Sequence, residues 1–509
     1  MSYRLNIPQS TETRLFFNES NLNKTAEFIG KLHVDDSFAA ATRLVLELNT
    51  LNRQKVDVET RVNILEVYRN LAREITEQLS VYYAKSTTPL PPGAKKHAFT
   101  AAQLWQEIAY GYKIAFLDLQ KKLFSFYLGK TNAYLVLRAI DALRRQCLVH
   151  YLNYTTPPET IWSDVHRLYA YALQHSFELI EIPRIKSSPI NTVNAAYTQT
   201  LLMAALSPKN LPKDQILKAS LYIKYLVKHA KIRAISQLKQ SEGVFLVHLN
   251  SDKPPTLLTK AQQPDIKTDA YLITHKISHQ LQQHLKMVDL GQAKFIDNAT
   301  VLDLGSRDKD LLNYLIAQFG SIKTRAFARR ARKETVQMSV GLNTALYLFE
   351  KNVDLDAPKN KISNWEMINV SATGYALRHS NPKNIAVTVG DLVTLKESAQ
   401  TGWVVASVVW IQAEDDQLTI GLKLIAGQAE VVEIKSSRHN TAITALLLNE
   451  VLATQQPASI VAARGVLLPD QIIEAKYLGK NRIAAVDKLI ERSVMYERYE
   501  FVLIDKHLS

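Results

Sequence analysis

Cysteine is nearly missing from this chain: 509 residues contain one, Cys147. That excludes an intramolecular disulfide and a zinc cage built on several thiolates, and it fits a reducing compartment. Cys147 lies in an apolar helical stretch and reads as packing. No apolar run approaches the length that crosses a bilayer, and the first sixteen residues mix polar and charged side chains where a signal peptide would carry an uninterrupted apolar core. The expectation is a cytoplasmic protein with no transmembrane segment.

Enzyme signatures are missing as well. There is no Walker-type glycine loop, no nucleophile elbow, and no cysteine and histidine dyad. Val301 to Ser306 echoes the strand and turn of a nucleotide- or methyl-donor-binding unit, but Arg307 and Asp308 replace the later glycines, so the close backbone approach that motif needs is lost. His275 and His279 would share a helical face, yet no HExxH glutamate accompanies them and His284 falls off that face. Glu414 to Asp416 could chelate magnesium, but it lies between two strands and reads as a hairpin loop. We expect no enzyme, no catalytic residue, no metal site and no cofactor.

What is present is length, apolar material and positive charge. Hydrophobic residues make up 47% and the net charge is +14, enough to build about three domains. The positive residues are spread over many segments, with denser runs at Lys224 to Arg233 and Lys323 to Lys333. No zinc finger or RNA-binding signature accompanies them, so nucleic acid is a disfavoured partner.

The texture divides the chain into an N-terminal segment (1–34), a helical interaction region (35–240), a mixed α/β bridging unit (241–322), an antiparallel β-barrel (323–436) and a small β-rich C-terminal segment (437–509). In the helical region apolar residues recur at three and four residue spacing, as in Phe38, Ala41, Leu44, Leu46 and Leu48, or Val62, Leu65, Val67, Leu71 and Ile75, predicting about seven helices. Breaks fall at Thr87 to Gly93, Tyr154 to Pro158 and Pro183 to Pro189, where prolines oppose helix continuation. In the bridging unit, Gly243 to Leu249 and Ala270 to Ile273 read as strands, and His275 to Met287 and Lys309 to Phe319 as helices. The C-terminal segment either adds strands to the barrel or forms its own β-domain.

The barrel region carries the most information. Val336, Met338, Val340 and Leu342 alternate with Gln337, Ser339 and Gly341, and Leu418 to Leu424 alternate in the same way, the period of half-buried strands. Asp391 to Leu395 and Trp403 to Trp410 add β-formers, giving five or six antiparallel strands and hence a small barrel. At its start lie Arg325, Arg329, Arg330 and Arg332; later comes the turn Asn369-Val-Ser371-Ala-Thr-Gly374. Guanidinium forks grip phosphate oxygens and pair with or stack on guanine. Asn369 can donate and accept, Ser371 adds a hydroxyl, and Gly374 allows a positive φ at a sharp corner. Such a set suits a phosphate-bearing ligand better than a catalytic centre.

These motifs resemble the PilZ domain, whose pattern is an RxxxR segment entering the first strand and a later [D/N]xSxxG turn. Asn369, Ser371 and Gly374 match the turn in its three fixed positions. Arg325 and Arg329 have the RxxxR spacing, although Arg329 stands well before Val336; the other register, Arg329 and Lys333, puts lysine in the second place. Glu350 to Lys361 reads as an insertion or a lengthened hairpin. The resemblance implies that cyclic di-GMP is the ligand, with Arg325 and Arg329, aided by Arg330 and Arg332, folding over guanines and phosphates opposite Asn369, Ser371 and Gly374. It also implies a bacterial second-messenger effector acting through a protein partner of the helical region in motility, adhesion or exopolysaccharide and biofilm control. Two alternatives are a non-enzymatic assembly scaffold with a degenerate PilZ domain, and a nucleic-acid-binding protein.

Overall fold

A computed structural model describes residues 4–11, 22–32, 35–121, 129–185, 188–235, 243–259, 262–291, 308–320, 328–351, 362–398, 402–414, 416–426, 428–436, 439–451, 456–477 and 480–504. The chain divides into two compact units, Met1–Ser86 with Leu90–Pro208 and Lys213–Thr324, and Thr87–Pro89 with Lys209–Pro212 and Arg325–Ser509. The expected turn at Val301 to Ser306, Arg325 and most of the stretch from Glu350 to Lys361 lie outside the described residues.

The first unit opens with α1 (Leu22–Gly30), followed by α2 (Ser37–Arg53), α3 (Val58–Ala84), α4 (Pro92–Gln120), α5 (Gly129–Leu152), α6 (Ile161–Gln174), α7 (Val193–Ala205) and α8 (Lys213–Leu226). Their starts are written in the sequence. Asp36, Asp57 and Thr192 each accept the amide of the residue three positions on, at 3.0 Å, satisfying an otherwise orphaned helix donor, and Pro92 opens α4 where a missing N–H costs nothing. The buried line of α3 runs Ile64, Leu65, Tyr68, Ala72, Ile75 and Leu79. One buried carboxylate of this unit gathers several guanidiniums. Asp141 receives Arg69 at 3.0 Å, Arg144 at 2.6 Å and Arg145 at 3.1 Å. Burial alone would raise its carboxyl, but the three guanidiniums hold it well below the usual range.

His166 on α6 is wholly buried. Its Nε2 lies 2.9 Å from the Lys253 carbonyl, which can only accept, so Nε2 carries the proton and Nδ1 accepts from the Tyr197 hydroxyl at 2.7 Å. Burial pulls His166, and likewise the half-buried His150, down to about 4 from an ordinary 6.5. Between those values the unfolded chain binds protons that the folded chain refuses. The contribution is therefore complete above pH 6.5 and lost as pH falls toward 4, at most roughly 3 kcal/mol for each histidine. Urea unfolding followed by helical circular dichroism should show a falling midpoint from pH 7 to pH 4.5, with a shallower fall in His150→Gln. An equal fall in that variant would remove His150 from the account.

A four-stranded sheet follows, β1 (Lys231–Ala234), β2 (Val244–His248), β3 (Thr256–Leu257) and β4 (Asp269–Ile273), in the order β1-β4-β2-β3. Helices α9 (His275–Asp289) and α10 (Lys309–Gly320) come after it, where the sequence places them. His279 on α9 is exposed and within 3.1 Å of Gln283, and no cluster of three metal-ligating side chains occurs among the described residues.

The second unit contains two closed six-stranded antiparallel barrels. The first is built from β5 (Arg330–Val340), β6 (Ile362–Ser371), β7 (Gly374–Ser380), β8 (Leu392–Glu397), β9 (Val404–Glu414) and β10 (Gln417–Ala426), ordered β10-β7-β6-β5-β8-β9. Its inner wall holds Val336, Met338, Trp365, Met367, Leu377, Ile411, Leu418 and Ile420. Leu342 is not the last residue of the first strand: β5 stops at Val340, Gly341 turns with φ of 102°, and Leu342 opens α11 (Leu342–Lys351). Glu414 pairs with Gln417 across the expected β9–β10 hairpin.

The second barrel comprises β11 (Ala429–Ser436), β12 (His439–Leu448), β13 (Ser459–Ala463), β14 (Ile472–Tyr477), β15 (Lys480–Arg492) and β16 (Tyr496–Ile504), ordered β11-β12-β13-β16-β15-β14. The stretch up to residue 436, which the sequence texture attached to the first barrel, pairs as β11 with β12 and β14 of the second. Leu342, Ala345, Leu392 and Val405 share one core with Leu446, Leu448, Val461 and Tyr496. The two barrels are thus packed through a continuous apolar layer in which α11 takes part.

Candidate functional site

The hairpin joining β6 to β7 closes at Ser371 and Gly374, which face each other in register. The Ser371 hydroxyl donates to the Gly374 carbonyl at 3.3 Å, a long bond that a better acceptor can replace. Gly374 does not adopt a left-handed backbone. Its lack of a side chain is needed for another reason: a Cβ there would overlap the Leu422 carbonyl oxygen of β10. The close approach of two strands, rather than the turn itself, selects glycine.

Strand β5 starts beside this hairpin. Arg330 faces Val370 and Ala331 faces Asn369, after which a bulge between Ala331 and Glu334 sets Arg332 and Lys333 out of the regular ladder. Arg329 precedes the strand and is exposed, as are Arg330 and Arg332. The register therefore brings Arg329 and Arg330 next to Asn369 and Ser371, and joins the two motifs across strands although forty residues separate them in sequence.

Arg332 has other partners. Its guanidinium reaches Glu334 at 2.6 Å and Glu397 at 3.2 Å. Glu397 is buried and also accepts from the Tyr375 hydroxyl at 3.2 Å. Burial and then the Glu397 charge push that phenol up to about 12. Arg332 thus holds a polar cluster together, and a ligand would have to compete with two carboxylates for it.

The outer face of the barrel shows a row that the motif reading did not include. Ala331 on β5 faces Asn369 on β6, Asn369 faces Ala376 on β7, Ala376 faces Gly421 on β10, and Gly421 faces Trp410 on β9. A Cβ on Gly421 would run into the Trp410 indole, so the ring lies flat against the strand there. The signal was present in sequence as a tryptophan on one strand and a glycine on the next, but only the pairing register reveals that they meet. Lys209, from the short stretch that belongs with the barrels, sets its ammonium 5.1 Å from the centre of the Trp410 ring.

No helix among the described residues is long and apolar enough to cross a membrane. Three models of one family match this chain in sequence order. The N-terminal domain of the cyclic-di-GMP receptor FimW matches residues 23–237, its middle PilZ domain residues 244–358 and 349–430, and the FimW C-terminal β-barrel domain residues 431–504. A cyclic-di-GMP receptor FimW from Pseudomonas aeruginosa is 19% identical, with 98% of this chain and 93% of the relative covered. A helical region followed by two six-stranded barrels, with NxSxxG on the first barrel's hairpin and arginines beside it, agrees with that order of domains. The chain belongs to the FimW family of cyclic-di-GMP receptors, with the family's N-terminal domain, middle PilZ domain and C-terminal β-barrel domain.

Proposed function

We propose that this chain binds cyclic di-GMP at the start of β5 and the β6–β7 hairpin, and that it acts through binding and not catalysis. The observation that carries this reading is the register of Arg330 and Ala331 against Val370 and Asn369, which sets exposed guanidiniums beside an amide and a hydroxyl. Arg329 and Arg330 would fork onto phosphate or guanine, with Arg325 joining from the preceding segment. Asn369 and Ser371 would bond the opposite side of the ligand, and Gly374 would keep the hairpin close to β10. Arg332 contributes only by giving up its ion pairs, so its part would be the smallest of the four arginines.

The output we propose is altered binding of a protein partner by the helical region. The basic segment lies in the chain between α10 and β5, so a ligand bound at Arg329 and Arg330 would act next to that connection. Such a shift is limited to the ligand's differential affinity for the two conformations. Motility, adhesion and exopolysaccharide control in the cytoplasm are the processes that fit.

Isothermal titration calorimetry of cyclic di-GMP into the full chain tests the site. Micromolar or tighter binding is expected, weakened about tenfold to a hundredfold in Arg329→Ala and in Ser371→Ala, the loss of one charge-assisted or ligand hydrogen bond. No binding by the parent chain would replace this reading with that of an assembly scaffold carrying a degenerate PilZ barrel. Affinity for nucleic acid that collapses with salt and ignores Ser371 would favour the third reading.

A further inference from the structure

Lys209 is far in sequence from every residue of the nucleotide motifs, and it lies in the stretch Lys209–Pro212 that belongs to the same compact unit as the barrels. Its position is built by its neighbours. Gly421 leaves the Trp410 indole flat against β10 with one face outward, and the Lys209 ammonium is over that ring. Desolvation, and then the charge of Arg329, disfavour the protonated form of Lys209. No carboxylate among the described residues pairs with either Lys209 or Arg329. By contrast, Arg332 has Glu334 and Glu397 and Arg492 has Glu497. Here the charge of Arg329 acts on an ammonium that sits over an aromatic face, and that ring ends the row running from Ala331 and Asn369 to Trp410.

Resting on the reading of the barrel as a cyclic di-GMP site, we propose that Lys209 is a further ligand-binding residue, its ammonium held by Trp410 so that it pairs with a phosphodiester of the nucleotide beside Arg329. The charge that repels Arg329 in the free chain becomes complementary once an anion lies between them. Lysine suits this place as a compact point charge on a long stem, and arginine would keep the charge with different geometry.

The test is calorimetry of cyclic di-GMP with the full chain carrying Lys209→Ala, Lys209→Arg or Lys209→Glu, run beside the parent and Ser371→Ala at two salt concentrations. Lys209→Ala is expected to weaken binding about tenfold and Lys209→Glu more, Lys209→Arg to keep most of the affinity, and Lys209→Ala to lessen the dependence on salt. Lys209 is exposed, so these variants should fold, and equal thermal midpoints would verify it. Parental affinity in Lys209→Ala, with Ser371→Ala still impaired, would overturn this assignment and leave the nucleotide site standing. Tighter binding in Lys209→Ala would overturn it too, since the ammonium would then be competing with the ligand for the indole face. A parent that binds no nucleotide would remove the site itself, and Lys209 with it.

Discussion

Replacing Asp164 by alanine should destabilise the helical unit by about 3–5 kcal/mol, the cost of leaving a buried charge without its partner. Asp164 on α6 and Lys113 on α4 are each 1% exposed and meet at 2.6 Å. Around them the N-terminal segment is clamped: Asp164 accepts the Asn6 amide at 3.0 Å, and Lys113 donates to the Asn6 carbonyl at 2.5 Å. Burial already pulls the Lys113 ammonium down against the opposing pull of Asp164. Without the carboxylate it would shed its proton more readily, which limits the loss but leaves a buried amine.

The double variant Lys113→Met with Asp164→Leu should recover much of that stability, because an apolar pair of similar volume avoids desolvating either charge. Urea unfolding of the helical signal distinguishes the cases. If the double variant falls as far as the single one, the clamp on Asn6 and not the unpaired charge is what Asp164 supplies.

The helical and β textures were legible because burial acts on one face at a time. In α2 the spacing of Ala41, Leu44 and Leu48 marks the buried line. The same pattern swept in Leu46, which is 61% exposed, and in α3 it swept in Val67, which is 36% exposed. Apolar identity was read there, whereas the helix turns by a fixed angle and leaves some apolar residues outside. At Leu342 the alternation of β5 ran on past a glycine whose positive φ ends the strand. Strand β15 was not read from the sequence, for its apolar residues are interrupted by Asp487, Lys488 and Glu491 on a strand with register shifts.

The turn motif was visible because it follows a basic run on a strand-rich stretch, but pairing register is nonlocal and no spacing encodes it. Arg330 beside Val370 and Trp410 beside Gly421 depend on it, and Lys209 over Trp410 depends on tertiary packing that spacing does not encode either. Arg332 shows the converse. It stands within the basic run that the sequence assigns to a ligand, and only the fold shows the two carboxylates that already hold it.

Gly374→Ala is expected to cost more binding than any side-chain truncation in the site, above about a hundredfold, with a loss of about 1–3 kcal/mol in stability from overpacking. The obstacle is the Leu422 carbonyl, a backbone atom, so no rotamer change can relieve it. Strand β10 must separate from β7 where Gly374 faces Lys423, and the hairpin that carries Asn369 and Ser371 must shift with it. Gly341→Ala provides the contrast. There φ is 102° and nothing lies within reach of a Cβ, so the substitution strains the backbone by about 1–2 kcal/mol without touching the hairpin. Calorimetry and thermal unfolding of both variants separate the two effects. Equal stability losses with nucleotide binding lost only in Gly374→Ala would tie the ligand to the β7–β10 approach; parental binding in Gly374→Ala would mean that β10 can yield without moving Ser371, and that the glycine of this motif serves the fold alone.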